Sequence, residues 1–152
     1  MKVLITLIVL IYSFNVFSNE YQLGVIIGYP TGISGKVELG NNRSVAGALA
    51  YSLDKKYGFH VHADYLFENV KSFHLKEINP LEVYYGIGTF LTGIREGNNA
   101  DKTGVGVRSP LGLEINVTNP NIQFFVEVAL ALNLIPSTDV NLNGGVGVRY
   151  KF

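Results

Sequence analysis

The sequence predicts an all-β protein, an eight-stranded antiparallel up-and-down transmembrane β-barrel. Three observations support this fold class. Polar and apolar residues alternate with a period of two along most of the chain, turn-forming residues divide it into eight such segments, and the charged faces also hold most of the glycine and alanine. A period of two places side chains on opposite faces of a strand. An even number of strands closes a sheet without leaving an unpaired edge in the membrane.

The composition limits the size and the class of the protein. The chain has 152 residues, no cysteine, 47% hydrophobic residues and only 16% charged residues, with 12 basic and 12 acidic side chains. This length predicts one domain. The absence of cysteine excludes a disulfide scaffold and a thiolate metal site. The zero formal charge argues against a general nucleic-acid binder.

The N-terminus has the pattern of a secretory signal peptide. Lys2 precedes an uncharged apolar stretch over residues 3–11, and Ser18 is a small residue at the expected cleavage point. The alternative is a retained anchor, but the stretch is shorter than the roughly 20 residues of a spanning helix. We therefore predict a cleaved signal peptide at residues 1–18 and a barrel at residues 19–152, in the outer membrane of a diderm bacterium.

Turn signals such as Gly40-Asn41-Asn42 and Asn119-Pro120-Asn121 separate the strands. The predicted strands lie near residues 20–30, 33–40, 44–53, 57–68, 81–92, 103–117, 121–133 and 140–152. Two features fit a regular barrel poorly. The connection at residues 69–80 is long for a periplasmic turn, and Pro110 cannot donate to a ladder. We predict a β-bulge at Pro110, and either an extension of the neighbouring strands or a small plug within residues 69–80.

The distribution of charged residues predicts which face of each strand points inward. Four strands carry at least two charges on one face and none on the other, namely Lys36 with Glu38, Asp64 with Glu68, Arg108 with Glu114, and Arg149 with Lys151. A soluble barrel and a membrane barrel both alternate, with opposite faces outward. Glycine and alanine share the charged face, and small residues suit the inside of a narrow barrel. We therefore place the charges inside; a soluble periplasmic lipid-binding barrel is the reverse arrangement.

The inward polar residues predict a network of ion pairs that fills the lumen. Its members are Lys36, Glu38, His60, His62, Asp64, Glu82, Arg108, Glu114, Glu127 and Arg149. Buried charges persist when they are paired, and we expect Arg108 and Arg149 to pair with Glu114 and Glu127. The alternative is a gated path for ions or protons.

Outward aromatic residues fall into two groups by height along the predicted strands. The group near the termini is Tyr21, Tyr65, Phe67, Phe124, Tyr150 and Phe152, and the group at the other end is Tyr29, Tyr51 and Tyr57. Two such girdles are typical of membrane barrels, where they lie at the two interfaces.

Six segments of the chain carry a recognisable pattern, namely GVIIGYPTGISGK at residues 24–36, ADYL at 63–66, YYGIG at 84–88, GVRSPLGLE at 106–114, FVE at 125–127 and GVGVRYKF at 145–152. Together they resemble a family of small outer-membrane barrels related in shape to the OmpA transmembrane domain and OmpX. The resemblance implies eight strands and an outer-membrane location, and it implies no catalytic residue. The terminal Tyr150-Lys151-Phe152 resembles the aromatic signal that the barrel-assembly machinery recognises.

Two groups of residues are candidates for chemical sites. His60, His62 and Asp64 share one face and could reach one divalent ion, but any inward polar strand with two histidines has this pattern. A hydrolase would need a nucleophile beside a base, and the one outward strand serine is Ser109. We therefore predict no enzyme, no cofactor and no metal.

The sequence thus predicts a structural or membrane-organising protein. Outward Gly35, Gly47 and Gly144 allow close contact between barrels, so that copies could self-associate and enclose lipid. The expected partners are membrane lipid, a second copy and the assembly machinery, with no nucleic acid. The alternative is a surface binding protein that acts through its extracellular loops, of which residues 93–102 form the longest.

Overall fold

The computed structural model describes residues 20–51, 57–73, 81–96 and 100–152, which form one closed eight-stranded β-barrel. The strands are β1 (Tyr21–Tyr29), β2 (Gly32–Gly40), β3 (Arg43–Tyr51), β4 (Tyr57–Phe73), β5 (Leu81–Glu96), β6 (Ala100–Thr118), β7 (Asn121–Ile135) and β8 (Asp139–Lys151). Each strand pairs antiparallel with the next, and β8 pairs with β1. The predicted fold class, strand number and order are confirmed. Within the described ranges, no helix is long and apolar enough to cross a membrane.

Local sequence explains the two-residue turn between β2 and β3. Asn41 and Asn42 connect β2 to β3 with φ values of 53° and 60°. Two positive φ angles fit the two-residue hairpin turns that match the twist of the flanking strands, and asparagine tolerates this conformation better than most residues. At the seam, the Phe152 N–H donates to the Tyr21 carbonyl at 2.9 Å, so the last residue extends the closing ladder.

Alternation sorts the side chains between the lumen and the outer surface. Outward positions carry large apolar side chains, such as Leu142, Ile27 and Ile87, which are 73%, 63% and 63% exposed. Inward positions carry charged, small and a few aromatic side chains, most of them buried. The inner aromatic side chains are Tyr84, Phe90 and Phe125.

Strands β4, β5 and β6 are longer than the ranges predicted for them. β4 continues to Phe73, with a register shift between Asn69 and Phe73, so the predicted extension of a neighbouring strand into residues 69–80 is confirmed as far as Phe73. The predicted loop at residues 93–102 is mostly a hairpin, in which Ile94 pairs with Lys102. The predicted signal peptide, the connection at 52–56, and the remainders at 74–80 and 97–99 lie outside the described residues.

The predicted bulge at Pro110 is wrong. The β5–β6 register is the same on both sides of it, with Tyr85 opposite Leu111 and Gly88 opposite Arg108. Pro110 lacks the N–H that would donate to the Gly86 carbonyl opposite. The Ser109 hydroxyl donates to that carbonyl at 3.0 Å instead, so the ladder needs no extra residue.

Candidate functional site

The lumen is the candidate functional site, because it concentrates the buried polar groups of the barrel. The buried polar and charged residues are Gln22, Ser34, Lys36, Ser44, His60, His62, Asp64, Thr92, Arg108, Glu114, Gln123, Glu127, Asn143 and Arg149. Eight of the ten predicted lumen residues are among them. The other two, Glu38 and Glu82, are partly exposed near the end of the barrel where the termini lie. Buried charges need partners, and most of these groups form two clusters.

The lower cluster, nearer the termini, is formed by Lys36, Glu114, Glu68 and Ser44. The Lys36 ammonium donates to both oxygens of the Glu114 carboxylate, at 2.8 and 2.9 Å, and also contacts Glu68. The Ser44 hydroxyl donates to Glu68 at 2.7 Å. Lys36 belongs to β2 and Glu114 to β6, which are not neighbours, so this pair crosses the lumen.

The upper cluster is formed by Arg108, Glu127, Asp64, Tyr84 and His62. The Arg108 guanidinium donates to one oxygen of Glu127, and the Tyr84 hydroxyl donates to the other at 2.8 Å. Arg108 Nε also lies 3.5 Å from Asp64 Oδ1. The cluster joins strands β4, β5, β6 and β7.

The two predicted lumen histidines extend the upper cluster. His60 Nε2 lies 3.2 Å from His62 Nδ1, within hydrogen-bond distance. The His60 ring stacks on Phe90 with a centroid separation of 5.6 Å. The other ring nitrogen of His62, Nε2, lies 3.7 Å from Asp64 Oδ2.

Arg149 differs from the predicted pairing. Its guanidinium donates to the Ser34 hydroxyl at 2.9 and 3.0 Å and to the Gln123 side-chain oxygen at 3.1 Å. Its charge lies 3.8 Å above the centre of the Phe125 ring, a cation–π contact. Glu114 is held by Lys36, and Glu127 by Arg108. Sequence analysis missed Ser34 and Gln123, although both are polar residues at inward positions.

Glycine makes room for the inner aromatic rings. A Cβ atom at Gly112 would lie 2.1 Å from the Tyr84 ring, and one at Gly147 would lie 2.3 Å from Phe125. Each ring therefore occupies the space above a glycine on another strand. This arrangement fills a lumen that is wide enough only for side chains.

The mouth of the lumen near the termini is a polar cavity of about 240 Å³, lined in part by Glu38, Glu82 and Lys151. The Gln22 amide donates to Glu38 at 2.7 Å, and Lys151 donates to the same oxygen at 3.4 Å. The Asn116 amide donates to Glu82 at 3.2 Å. Glu38 and Glu82 therefore accept hydrogen bonds from other residues at the mouth, and neither belongs to the two clusters.

The aromatic residues predicted as girdles lie mostly on the outer surface. Tyr21, Tyr29, Tyr51, Phe124, Tyr150 and Phe152 are exposed, and Tyr65 and Phe67 are half-buried. Phe67 contacts Tyr65 edge-on at 5.2 Å and stacks on Tyr85 at 5.5 Å, which extends the aromatic surface to β5. The side chain of Tyr57 lies outside the described part of the chain.

Two chemical arrangements follow from the geometry. The outward Ser109 hydroxyl donates to a backbone carbonyl, whereas His60 and His62 occupy the lumen, so Ser109 meets neither of these two histidines as nucleophile and base. His62, Asp64 and Glu127 offer ligand atoms that all lie within 4.8 Å of one another. These three residues could hold a metal ion.

No protein-family model matches the chain, and no curated protein matches it. Several solved structures, in contrast, match the chain. The N-terminal β-barrel domain of Pseudomonas aeruginosa OprF matches with a TM-score of 0.65 at 14% identity, over 88% of this chain and 96% of that domain. Neisserial surface protein A and Yersinia pestis outer membrane protein Ail match with TM-scores of 0.47 and 0.39, at 18% and 14% identity. Both matches cover 88% of this chain, and they cover 94% and 98% of those chains. At this identity, the likeness to the OprF domain shows the fold alone.

Proposed function

We propose that the protein is an integral barrel of a bacterial outer membrane with a closed lumen and a structural role. The outward belt of exposed Leu, Ile, Val and aromatic side chains supports the membrane location. A soluble protein rarely exposes so much contiguous apolar surface, whereas a membrane barrel needs it. The expected signal peptide at residues 1–18 and the likeness to the OprF barrel domain are consistent with export to this membrane.

The observation that best supports a closed lumen is that two buried cations are held by carboxylates of other strands. Lys36 and Arg108 are each buried and each contact two carboxylates from other strands. The buried rings of Tyr84 and Phe125 also fill space in the lumen. A solute crossing the barrel would have to break these contacts in a buried region, where such contacts are strong.

Liposome swelling tests this closure. Vesicles that contain the folded barrel should swell in arabinose no faster than protein-free vesicles, whereas a large porin should give rapid swelling. Replacing Tyr84 and Phe125 together by alanine removes two filling rings and should increase the rate. Swelling by the parent barrel at the rate of the porin would contradict a closed lumen.

We further propose that this structural role is organisation of the membrane. Gly35 and Gly47 lie opposite each other in the β2–β3 pair, and Gly144 is exposed on β8. Gly35 and Gly47 leave little side-chain bulk at the centre of the outward face of β2 and β3, where a second barrel can pack closely. We propose that copies of the barrel associate through this face and enclose lipid between them.

Cross-linking in native membranes tests the association. Dimers or larger species should form, and Gly35→Leu should abolish them, because a Cβ atom at Gly35 has no neighbour closer than 3.6 Å and leaves the barrel itself intact. Val126→Leu, on the outward face of β7, should not abolish them. A cross-linking pattern that contains only monomer would remove this part of the proposal.

We also propose that Phe152 is read by the barrel-assembly machinery. In the folded barrel its N–H already belongs to the closing seam with Tyr21. Phe152→Ala keeps this N–H and removes only the ring, so it should lower the amount of folded barrel in the membrane, whereas Phe152→Tyr should preserve it. Equal amounts of folded barrel for both variants would argue against this role.

A further inference from the structure

Asp64 is the least satisfied charged group in the described lumen. Its side chain is 1% exposed, and neither carboxylate oxygen has a hydrogen-bond partner. Gly88 provides the space for it, because a Cβ atom there would lie 1.9 Å from Oδ1. A buried carboxylate is costly unless it is paired and hydrogen-bonded, or bound to a metal. The nearest cation, Arg108, approaches only to 3.5 Å and is shared with Glu127.

His62 faces this carboxylate in an orientation suited to metal binding. Its Nε2 lies 3.7 Å from Asp64 Oδ2, which is too long for a hydrogen bond. Two ligands on one tetrahedral Zn²⁺ at about 2.0–2.1 Å are separated by roughly 3.3 Å. The contact of His62 Nδ1 with His60 Nε2 fixes the ring, as a hydrogen bond to the second nitrogen does in most metal-bound histidines.

Glu127 completes a set of three ligands. Its oxygens already accept hydrogen bonds from Arg108 and Tyr84, and each carboxylate oxygen has a second lone pair. The ligand atoms of His62, Asp64 and Glu127 lie within 4.8 Å of one another. Tyr84 and Arg108 thus act as the outer contacts that orient this carboxylate.

The charge balance also favours a cation here. The two clusters and Arg149 together contain four carboxylates and three lysine or arginine side chains in the described lumen. The carboxylates are those of Asp64, Glu68, Glu114 and Glu127, and the cations are Lys36, Arg108 and Arg149. Asp64 is the carboxylate without a cation of its own.

We propose that His62, Asp64 and Glu127 bind a divalent transition-metal ion, with Zn²⁺ the best match to one imidazole and two carboxylates. The ion takes a position that the sequence pattern alone did not favour, since the third ligand comes from β7 and not from His60. Because β4 and β7 are not neighbours, the ion links opposite walls of the barrel. Binding therefore stabilises the folded state.

Equilibrium dialysis with Zn²⁺ tests the site on the untagged barrel, folded in detergent and first treated with a chelator. His74→Ala serves as the background, because His74 is the one histidine outside the cluster. We expect about one Zn²⁺ per chain and a higher unfolding temperature with Zn²⁺ than without it. Asp64→Asn and His62→Gln should each weaken binding at least tenfold and abolish the thermal shift.

Glu114→Gln is the matched control, because it changes a buried carboxylate of the lower cluster and should keep the affinity of the background protein. Faster migration of the unheated band shows that each variant is folded, and two independent ligand variants keep the test decisive if one does not fold. No retained Zn²⁺, or equal affinity in the background, Asp64→Asn and His62→Gln proteins, would overturn the proposal. In that case Arg108 alone balances the two carboxylates.

Discussion

At the scale of single residues, Ser109 explains how a proline fits inside a closed barrel. An unpaired carbonyl cannot turn to water inside a membrane. The hydroxyl of Ser109 satisfies the carbonyl of Gly86 that Pro110 leaves without a donor. A lipid-facing serine is thereby a structural residue, and its hydroxyl replaces one bond of the ladder.

Ser109→Ala should lower the free energy of unfolding by about 1–3 kcal/mol, since it leaves the Gly86 carbonyl unsatisfied. Ser109→Thr keeps the hydroxyl and should cost less. In a Pro110→Ala background, which restores the N–H, the serine change should have a smaller effect. Urea unfolding in detergent micelles measures all of these variants, and an effect of Ser109→Ala that is independent of Pro110 would contradict the explanation.

The glycines that lie beneath the aromatic rings lead to a second prediction at the scale of single residues. Gly112→Ala places a methyl group 2.1 Å from the Tyr84 ring, so Tyr84 must move away from Glu127. Overpacking of this kind costs about 1–3 kcal/mol of unfolding free energy. Gly35→Ala is the control, because its nearest neighbour would be 3.6 Å away, and its effect should stay within about 0.5 kcal/mol. Equal losses for the two variants would argue against the ring packing.

At the scale of elements, the charged clusters tie together strands that do not neighbour each other. Lys36→Ala would leave Glu114 without its cation and should cost about 3–5 kcal/mol. Lys151→Ala, at the mouth, should cost less than about 1 kcal/mol, because partly exposed pairs are weak. Thermal unfolding of the two variants compares them directly.

A double variant separates the pair from its surroundings. Lys36→Met combined with Glu114→Gln removes both charges, so it should be more stable than Lys36→Met alone. Additive losses would indicate that Lys36 does not stabilise the barrel through Glu114.

The strands also show where sequence-based reasoning succeeds. β7 and β8 alternate without interruption, and their predicted ranges, 121–133 and 140–152, lie close to the observed Asn121–Ile135 and Asp139–Lys151. The hairpin at residues 93–102 was missed because its polar residues carry no apolar period. Backbone pairing continues there without one, since strand formation depends on the neighbouring strand as well as on local sequence.

The choice of partners inside the lumen could not be predicted from alternation. A period of two tells which side chains point inward, but their relative height depends on the register of all eight strands. That register brings Lys36 to Glu114, a separation of 78 residues, and leaves Arg149 beside Ser34. Inward orientation follows from sequence, whereas pairing follows from closure of the sheet.

At the scale of the whole molecule, the account requires an apolar outside and a charged, filled inside within one closed sheet. Both features follow from the same alternation, and closure removes the edges that would otherwise expose backbone groups. A soluble barrel would carry the reverse arrangement. The central claim is therefore that this sheet is closed and surrounded by lipid.

Cell fractionation followed by gel electrophoresis of heated and unheated samples tests this claim most directly. A closed membrane barrel should appear in the outer-membrane fraction, and its unheated form should migrate faster than the heated form, because the sheet stays compact in detergent until it is heated. Recovery from the soluble periplasmic fraction, with identical migration before and after heating, would contradict the account.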